Sequence, residues 1–560
     1  MNHFRKHTPE PRRAVDGILN APTRSGLNGQ PLGRRMLSAE SFRTSTRRVD
    51  GFKRTEGFHA SNRPAAVQQR QSTSSSLRSE QAPRQSSLLH MTLPGGELAT
   101  RKDRTKDKKK GGKRSLRKWT VRSAVALSLL LILVGGFLFT KGFFQFNKVF
   151  KGGGSAAALQ TDVKPELLKG EGDGRINILM LGRGGTGHDG PDLTDTLLLA
   201  SIDPVNKTTV LVSVPRDTWV APSGSTSSTK VNSVYANAKS RALNVNSKDK
   251  EKAEAAGIKA VQQTISDVLG VPIHYYAMVD FEAFQQAINT VGGITVNVPE
   301  DLRDTSMAWQ NGGSAVLAKQ GQQTFDGRRA LMYVRSRHGS ARGDFDRAER
   351  QRLVIVALSQ KILSAGTFTN PVKISSLLDA FGDHVSTDLS INDALRLMSI
   401  AKGIHGNGIT SVGLADPPTI LVTTDNINGQ SVVRPVAGIG DFSKIQEFVR
   451  LKLRDGYIAK ENGIVHVLNG TETAGLAGTK AEQLKTYGYN VTKVADAPTQ
   501  DFQKTVVVDL TKGKKPYTKN YLEKRFGVKA VTKLPGTAIQ PENADFVIIL
   551  GSNETTNSQN

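Results

Sequence analysis

The stretch INILMLGRGGTGHDGPDLTDTLLLASIDPVNKTTVLVSV, residues 176–214, decides the fold of this chain. Three apolar runs within it predict buried strands at Ile176–Leu181, Thr196–Ile202 and Thr208–Val214. A short Asp-Pro-Val-Asn turn at 203–206 joins the last two runs. The stretch therefore predicts strands from which a layered domain can be built.

The residues that follow mix helical and strand patterns. Helical periodicity covers Ile258–Leu269, and Asp344–Ser364 predicts a long amphipathic helix. Further strands are predicted at Gly293–Val298 and Ala330–Arg335. Strands mixed with helices on this scale indicate an α/β layered domain.

A second α/β unit follows a change of composition near 455–462. It opens with a predicted strand at Ile464–Leu468 and closes with another at Phe546–Leu550, before a polar tail.

The charge of the chain is concentrated at its N-terminus. The net charge is +26 over 560 residues, and residues 1–122 carry 28 Lys/Arg against 9 Asp/Glu. The excess peaks at Arg101–Lys118, a block of the kind that is solvated and disordered, so it does not predict specific binding of nucleic acid. The absence of cysteine excludes disulfides and cysteine-ligated metals.

One segment predicts a membrane span. Ala124–Thr140 is apolar and uncharged, with Trp119 near one end and Phe143 near the other. A cleaved signal peptide is disfavoured because a long segment precedes the apolar run, and a buried core helix because the run is uninterrupted. The basic block before it predicts a cytoplasmic N-terminus and an extracytoplasmic remainder.

A glycine-rich loop, Gly182–Gly187, follows the first predicted strand and matches G-x-G-x-x-G. A dinucleotide site would require a helix directly after it, but Gly190 and Pro191 leave no room for one, and no Gly-Lys-Ser/Thr follows for a nucleotide-binding P-loop. Three acids accompany the loop: Asp189, Asp192 and Asp195. Asp195, at the mouth of a buried strand, is best placed to hold a hard cation through oxygen.

Arginines recur at three further places. Arg216 and Asp217 end a strand, where a purely structural ion pair is the alternative interpretation. On a continued strand, Arg335 and Arg337 would share one face, and two guanidiniums aimed together favour a phosphate between them. On the following helix, three residues spaced i, i+3, i+4 share a face, for which a solvated basic face is the alternative: Arg347, Arg350 and Gln351. Together these arginines suit phosphoryl chemistry.

These residues lie in motifs that resemble the LytR-CpsA-Psr cell-wall ligases. The matching stretches are Asn177–Gly182, Leu193–Thr196, Val214–Asp217, Lys230–Tyr235, Val291–Ile294, Phe325–Gly327, Tyr333–Arg337 and Asp344–Gln351, in the family's order over about 171–454. The C-terminal piece, with Val467–Gly470 and Gly488–Val491, resembles a small domain often appended to such proteins.

The resemblance implies a three-layer α/β/α catalytic domain with a hydrophobic tunnel for a polyprenyl chain and a pyrophosphate site at its mouth. It implies Mg²⁺ held by Asp195, a diphosphate bound by Arg216, Arg335, Arg337 and Arg347 or Arg350, and Gln351 as an orienting group. The implied reaction transfers a polyprenyl-pyrophosphate-linked glycopolymer to a hydroxyl of peptidoglycan. The general base is left open between Asp217 and an acid of the glycine loop.

The chain departs from the family pattern near the glycine loop. An acid usually follows the first strand and Arg-Ser precedes Asp-Thr, whereas this chain has Arg183-Gly184-Gly185 and Leu193-Thr194. Asp189 or Asp192 would then supply the second metal-side acid, and Arg183 would replace the missing arginine. Two other functions remain open, a non-catalytic cell-wall-binding scaffold and a polyprenyl-pyrophosphate hydrolase.

The expected organisation has six segments. They are a disordered basic cytoplasmic tail at 1–118, a single transmembrane helix at 119–145, a linker at 146–170, the catalytic domain at 171–454, the small C-terminal α/β domain at 462–553 and a polar tail at 554–560.

Overall fold

The computed structural model describes residues 149–364, 382, 384–404, 408–535 and 542–556. The predicted cytoplasmic tail and transmembrane helix lie outside these residues. Within the described ranges, none of the helices combines the length and the apolar character needed to cross a bilayer.

The strands fall into a first, larger group and a C-terminal group. The first comprises β1 (Ile176–Arg183), β2 (Thr194–Asp203), β3 (Thr208–Ser213), β4 (Trp219–Val220), β5 (Thr229–Lys230), β6 (Tyr275–Val279), β7 (Ile294–Val298), β8 (Leu302–Arg303), β9 (Val316–Ala318), β10 (Gly321–Phe325), β11 (Val385–Thr387), β12 (Ile409–Gly413), β13 (Val422–Ile427) and β14 (Gln430–Pro435). The second comprises β15 (Ile464–Asn469), β16 (Asn490–Asp496), β17 (Val506–Asp509) and β18 (Phe546–Leu550).

The helices alternate with these strands. They are α1 (Val234–Val245), α2 (Lys250–Leu269), α3 (Phe281–Thr290), α4 (Gly327–Arg335), α5 (Asp344–Ser364), α6 (Ile391–Ala401), α7 (Ser443–Lys452), α8 (Gly456–Glu461), α9 (Leu476–Tyr487), α10 (Pro516–Phe526) and α11 (Asn553–Thr556). Mixed α/β architecture, as predicted, is confirmed.

The central sheet has the order β11-β6-β1-β2-β3-β12. The three strands predicted from residues 176–214 form its middle, and β2 and β3 make the predicted hairpin. The strands β1 and β2 are antiparallel neighbours, so the glycine loop between them leads into a strand and not into a crossover helix. The exclusion of a dinucleotide fold is therefore confirmed.

Helices cover both faces of this sheet because side chains alternate along each strand. On one face Leu199 and Val212 share a core with Ile265 of α2. On the other face Leu198 and Leu211 pack against Ile355 and Val356 of α5. The second face lies next to the cavity described below.

The strand predicted at Ala330–Arg335 is wrong, because these residues belong to helix α4. The helix begins at Asp326, whose side chain accepts a hydrogen bond from the backbone N–H of Arg329. Residues 330–334 are all buried, and a short run buried on every side has no periodicity to distinguish a helix from a strand.

The C-terminal group of strands forms a separate sheet, ordered β16-β15-β18-β17. Its core includes two residues from far upstream, Val163 and Leu168. The hydroxyl of Tyr517 donates to the carbonyl of Val163 at 2.6 Å, and the side chain of Asn520 donates to the carbonyl of Leu168 at 3.1 Å. Residues 163–171, named the strap here, are thus built into the C-terminal unit.

Candidate functional site

A cavity of about 510 Å³ opens at the edge of the central sheet where β1 and β6 end. The charged and polar residues of its lining include Arg183, His188, Asp189, Asp195, Arg216, Asp280, Arg335, Arg337, Arg347 and Gln351. Its apolar residues include Met180, Leu198, Ala277, Val279, Phe281, Phe284, Trp309, Leu331, Val334 and Ile355. The cavity therefore suits a ligand with an anionic end and a long apolar end.

Asp195 and Arg216 form an ion pair in the cavity lining. Nη1 of Arg216 lies 2.7 Å from Oδ1 of Asp195, and Nδ2 of Asn232 donates to the same oxygen at 3.4 Å. Burial pushes the pKa of Arg216 down, but the surrounding carboxylates, Asp195 first among them, raise it overall. Arg216 is therefore firmly cationic, and both contacts use one oxygen of Asp195.

Arg335 is the least compensated cation of the mouth. Its guanidinium lies over the ring of Phe281, 4.5 Å from the centroid, and it has no hydrogen bond or ion pair with any other described residue. Burial lowers the pKa of Arg335, opposed only by the charge of Asp195. A partly buried charge without a hydrogen-bonded partner is costly, so this guanidinium is poised to receive an anion.

Arg337 and Arg347 share the carboxylate of Asp344. Its Oδ1 lies 3.4 Å from Nε of Arg337 and 2.9 Å from Nη1 of Arg347. Burial lowers the pKa of Arg347, against the attraction of Asp344. Gln351 donates to the carbonyl of Val334 at 3.5 Å. The cavity thus brings together Arg216, Arg335, Arg337, Arg347 and Gln351. Arg335 and Arg337 do not lie on a strand, as the sequence had suggested, but at the end of helix α4 and just after it.

Arg350 is not brought into this group. It is 5% exposed, and its guanidinium donates to the carbonyls of Tyr333, at 3.1 Å, and Ser336. These two carbonyls flank Arg335 in the chain. Arg350 therefore fixes the backbone that carries Arg335 and Arg337, where the sequence had suggested direct binding of substrate.

Arg183 lines the cavity from the end of β1 and belongs to a balanced network. Its Nη1 lies 3.1 Å from Asp192, 3.2 Å from the hydroxyl of Tyr235 and 3.8 Å from Glu254. Lys239 lies 3.0 Å from Asp192 and 2.8 Å from Glu254. Two cations and two carboxylates offset each other here, which commits Asp192 to lysine and arginine. Tyr235 ends one of the family-like motifs, but no local pattern in the sequence pointed to Lys239 or Glu254.

Asp189 and Asp217 occupy different positions. Asp189 is exposed and lines the cavity. Asp217 lies 3.1 Å from Nζ of Lys230 and 3.7 Å from Nε of Arg216. It does not line the cavity. Of the two, only Asp189 faces the space in which a ligand would lie.

The glycine loop packs against a carboxylate that sequence reasoning missed. Asp280 caps α3 by accepting from Ala283 N at 3.0 Å, and its other oxygen lies 2.7 Å from Nδ1 of His384. Gly185 has φ of +82°, and a Cβ there would lie 2.9 Å from the Cβ of Asp280. Glycine at this position allows the loop to close over Asp280 at the cavity mouth.

The carboxylates of the mouth fit a cation that is shared with a ligand. In the described residues no group of three or more His, Asp or Glu is placed to hold a metal by itself. Oδ2 of Asp195, however, has no partner among those residues. Mg²⁺ in proteins is commonly held by one or two carboxylates together with phosphate oxygens, and Asp195 fits that role.

Comparisons with known proteins match most of the chain. The model of the LytR_cpsA_psr family matches residues 143–435, and that of the LytR cell envelope-related transcriptional attenuator matches residues 464–553. The chain is 29% identical over 413 residues to the cell wall biosynthesis protein LcpA of Corynebacterium glutamicum, covering 67% of this chain and 76% of that protein. It is 32% identical over 223 residues to the polyisoprenyl-teichoic acid–peptidoglycan teichoic acid transferase TagV of Bacillus subtilis, covering 40% of this chain and 51% of that protein.

Solved structures match the same region. The crystal structure of B. subtilis TagV is 28% identical, covers 50% of this chain and 97% of its own, and superimposes with a TM-score of 0.38.

Proposed function

This chain belongs to the LytR-CpsA-Psr family, and we propose that it is a phosphotransferase that moves a glycopolymer from a polyprenyl-pyrophosphate carrier to peptidoglycan. Its relative TagV is named for the transfer of teichoic acid to peptidoglycan, and LcpA for cell wall biosynthesis. The glycopolymer transferred by this chain belongs to the same broad class of wall polymers.

The observation that carries the proposal is that several arginines and many apolar side chains line one and the same cavity. Arg335 is partly buried without an anionic partner and stacks on Phe281, while Arg183, Arg216, Arg337 and Arg347 line the same space. A diphosphate placed here receives charge-assisted, fork-shaped hydrogen bonds. A polyprenyl chain attached to it would follow the apolar wall.

The reaction forms one P–O bond and breaks another. A sugar hydroxyl of peptidoglycan attacks the phosphorus nearest the glycopolymer, its proton leaves, and polyprenyl phosphate departs with the bridging oxygen. The arginines neutralise charge that accumulates on the bridging and non-bridging oxygens, which is the main route of catalysis in phosphoryl transfer. Asp189 is the acid of the glycine loop that faces this space and is the proposed acceptor of the proton.

Asp195 would hold Mg²⁺ through Oδ2, because its contacts with Arg216 and Asn232 use Oδ1. The ion supplies further neutralisation of phosphate charge when bound. Arg216 holds the carboxylate of Asp195 in place by the 2.7 Å contact.

The proposed topology places residues 1–118 in the cytoplasm, a single transmembrane helix at 119–145, and the three-layer catalytic domain and C-terminal unit outside the membrane. The basic block before the apolar segment supports this orientation.

Mass spectrometry of the purified full-length chain tests the proposal. We expect a polyprenyl phosphate or pyrophosphate to be extracted from the wild type and to be depleted in Leu331→Trp, which places a larger side chain among the apolar residues of the lining. Incubation with a polyprenyl-pyrophosphoryl glycan and peptidoglycan fragments should then yield a phosphodiester-linked product. Release of free glycan phosphate alone would favour hydrolysis, and binding without turnover would favour a scaffold.

A further inference from the structure

The rim of the cavity carries an exposed tryptophan. Trp309 is 77% exposed and lines the cavity beside Gln310, on a short 3-10 helix at Thr305–Asn311. Arg328, exposed in the first turn of α4, donates to the carbonyl of Gln310. An exposed tryptophan and an exposed arginine that contacts the residue next to it are the residue types that anchor proteins at a membrane–water interface.

The platform that carries Trp309 is tied to the arginine loop. Asp304 caps the 3-10 helix by accepting from Ser306 N at 3.0 Å, and its other oxygen accepts from the hydroxyl of Ser336 at 2.7 Å. Ser336 lies between Arg335 and Arg337 in the chain. If a membrane surface binds Trp309, the distance of Arg335 and Arg337 from that surface is therefore also set.

The chain enters the described fold beside the cavity. Phe150 pairs in parallel with Thr387 of β11, and β11 is antiparallel to β6, whose final residue Val279 lines the cavity. Along this pairing the chain runs away from the edge where the cavity opens, so Val149, the first described residue, lies on the cavity side of Phe150. Only β11 separates this entry point from β6, so the two lie roughly 10 Å apart at the usual strand spacing.

The length of chain upstream limits the distance to the membrane. Residues 146–148 alone separate the predicted span, 119–145, from Val149. Three extended residues reach roughly 10 Å. The open edge of the cavity must then lie close to the bilayer surface whenever the span is inserted.

From these observations we propose that Trp309 and Arg328 form a membrane-docking rim, which sits in the headgroup layer of a bilayer containing anionic lipid. This inference rests on the proposed function and topology. It gives the route by which a lipid-linked substrate would reach the cavity. The apolar chain of a carrier passes from the bilayer into the cavity beside Trp309, and its diphosphate meets Arg335 at the level of the headgroups.

Tryptophan fluorescence tests the rim without measuring catalysis. The chain has three tryptophans, so Trp119→Phe with Trp219→Phe leaves Trp309 as the sole emitter. The full-length chain is reconstituted in vesicles of phosphatidylcholine and phosphatidylglycerol, with or without bromine near the headgroup end of the acyl chains. We expect bromine to reduce the emission of Trp309 about twofold, as for an interfacial tryptophan, and Arg328→Glu in the same background to weaken this quenching.

A matched chain provides the control. With Trp119→Phe and Trp309→Phe, only Trp219 emits, and its emission should be the same in both kinds of vesicle. Equal emission of Trp309 in the two vesicles would overturn the rim, whether or not the chain transfers glycan. Quenching of Trp309 in a chain that transfers no glycan supports the rim and counts against the proposed function instead.

A kinetic comparison separates docking from contact with substrate. Arg328→Glu should raise KM for a full-length carrier in vesicles at least about fivefold more than KM for a short-chain, water-soluble carrier, since only the former requires the anionic surface. Equal changes in KM on both carriers would overturn the membrane role of Arg328.

Discussion

Replacing Arg335 by alanine should abolish most of the transfer activity without weakening the fold. The guanidinium lies 4.5 Å from the centroid of Phe281 and has no anionic partner among the described residues, so its removal breaks no ion pair. Loss of one charge-assisted donor to the transition state costs about 2–4 kcal/mol, or about 10²–10³ in kcat. Because burial disfavours this charge in the free protein, the free energy of unfolding should stay equal or rise slightly.

The assay is transfer by the full-length chain from a polyprenyl-pyrophosphoryl glycan to peptidoglycan fragments, with urea denaturation in parallel. Arg335→Lys should recover only part of the rate, because an ammonium cannot reproduce the planar fork. Arg329→Ala is the matched control, since this arginine is exposed on the same helix and lies outside the cavity lining. Wild-type kcat in a folded Arg335→Ala chain would refute the reasoning, as would a loss of stability above about 2 kcal/mol, which would indicate a structural ion pair.

Three further outcomes are expected. Asp195→Asn should lower kcat and raise the Mg²⁺ concentration for half-maximal rate at least about tenfold, since the free oxygen loses its charge; an unchanged Mg²⁺ titration would place the ion elsewhere. Arg350→Met should lower the free energy of unfolding by about 2–3 kcal/mol in urea titrations, because two buried carbonyls lose their donor; an unchanged free energy of unfolding would mean that Arg350 does not support this backbone. Burial raises the pKa of Asp388 to about 6, so the folded chain holds this proton more tightly than the unfolded chain does. Wild-type stability should therefore fall by about 1–2 kcal/mol relative to Asp388→Asn as pH rises from about 4 to about 7, and parallel curves for the two chains would contradict that assignment.

Local sequence was sufficient for elements that have a clear local pattern, whether an apolar run bounded by a turn or a helical periodicity. The hairpin of β2 and β3 follows from two apolar runs around an Asp-Pro turn, and the bounds of Asp344–Ser364 are those of α5. Helix α4 was mistaken for a strand because the five consecutive residues Ala330–Val334 are all buried. Periodicity carries no information there, and the capping Asp326 was the one local sign of a helix.

Site residues could be predicted where they lie together in one short motif. They could not be predicted where the site is formed by elements that are distant in sequence. Arg335 and Arg337 were identified through their spacing, and they line one cavity for a different reason, at the end of a helix. The partners of Arg183 lie on α1 and α2 and arrive only through tertiary packing, so no local pattern could identify Lys239 or Glu254. Arg350 lies three residues after Arg347 on α5 and on the same broad face. Its guanidinium nevertheless donates to the carbonyls of Tyr333 and Ser336 and does not line the cavity.

The strap affects the order in which the protein can finish folding. Val163 and Leu168 belong to the core of the C-terminal unit, and Glu171 accepts from Arg525 at 2.6 Å and from the hydroxyl of Tyr489 at 2.8 Å. Synthesis delivers these strap residues roughly 300 residues before their partners, at about 5–20 residues per second. During that delay of some tens of seconds the strap has no sheet to join, and its apolar side chains are exposed to solvent and to chaperones. Completion of the last strand, β18, is then the event that withdraws the strap from solvent.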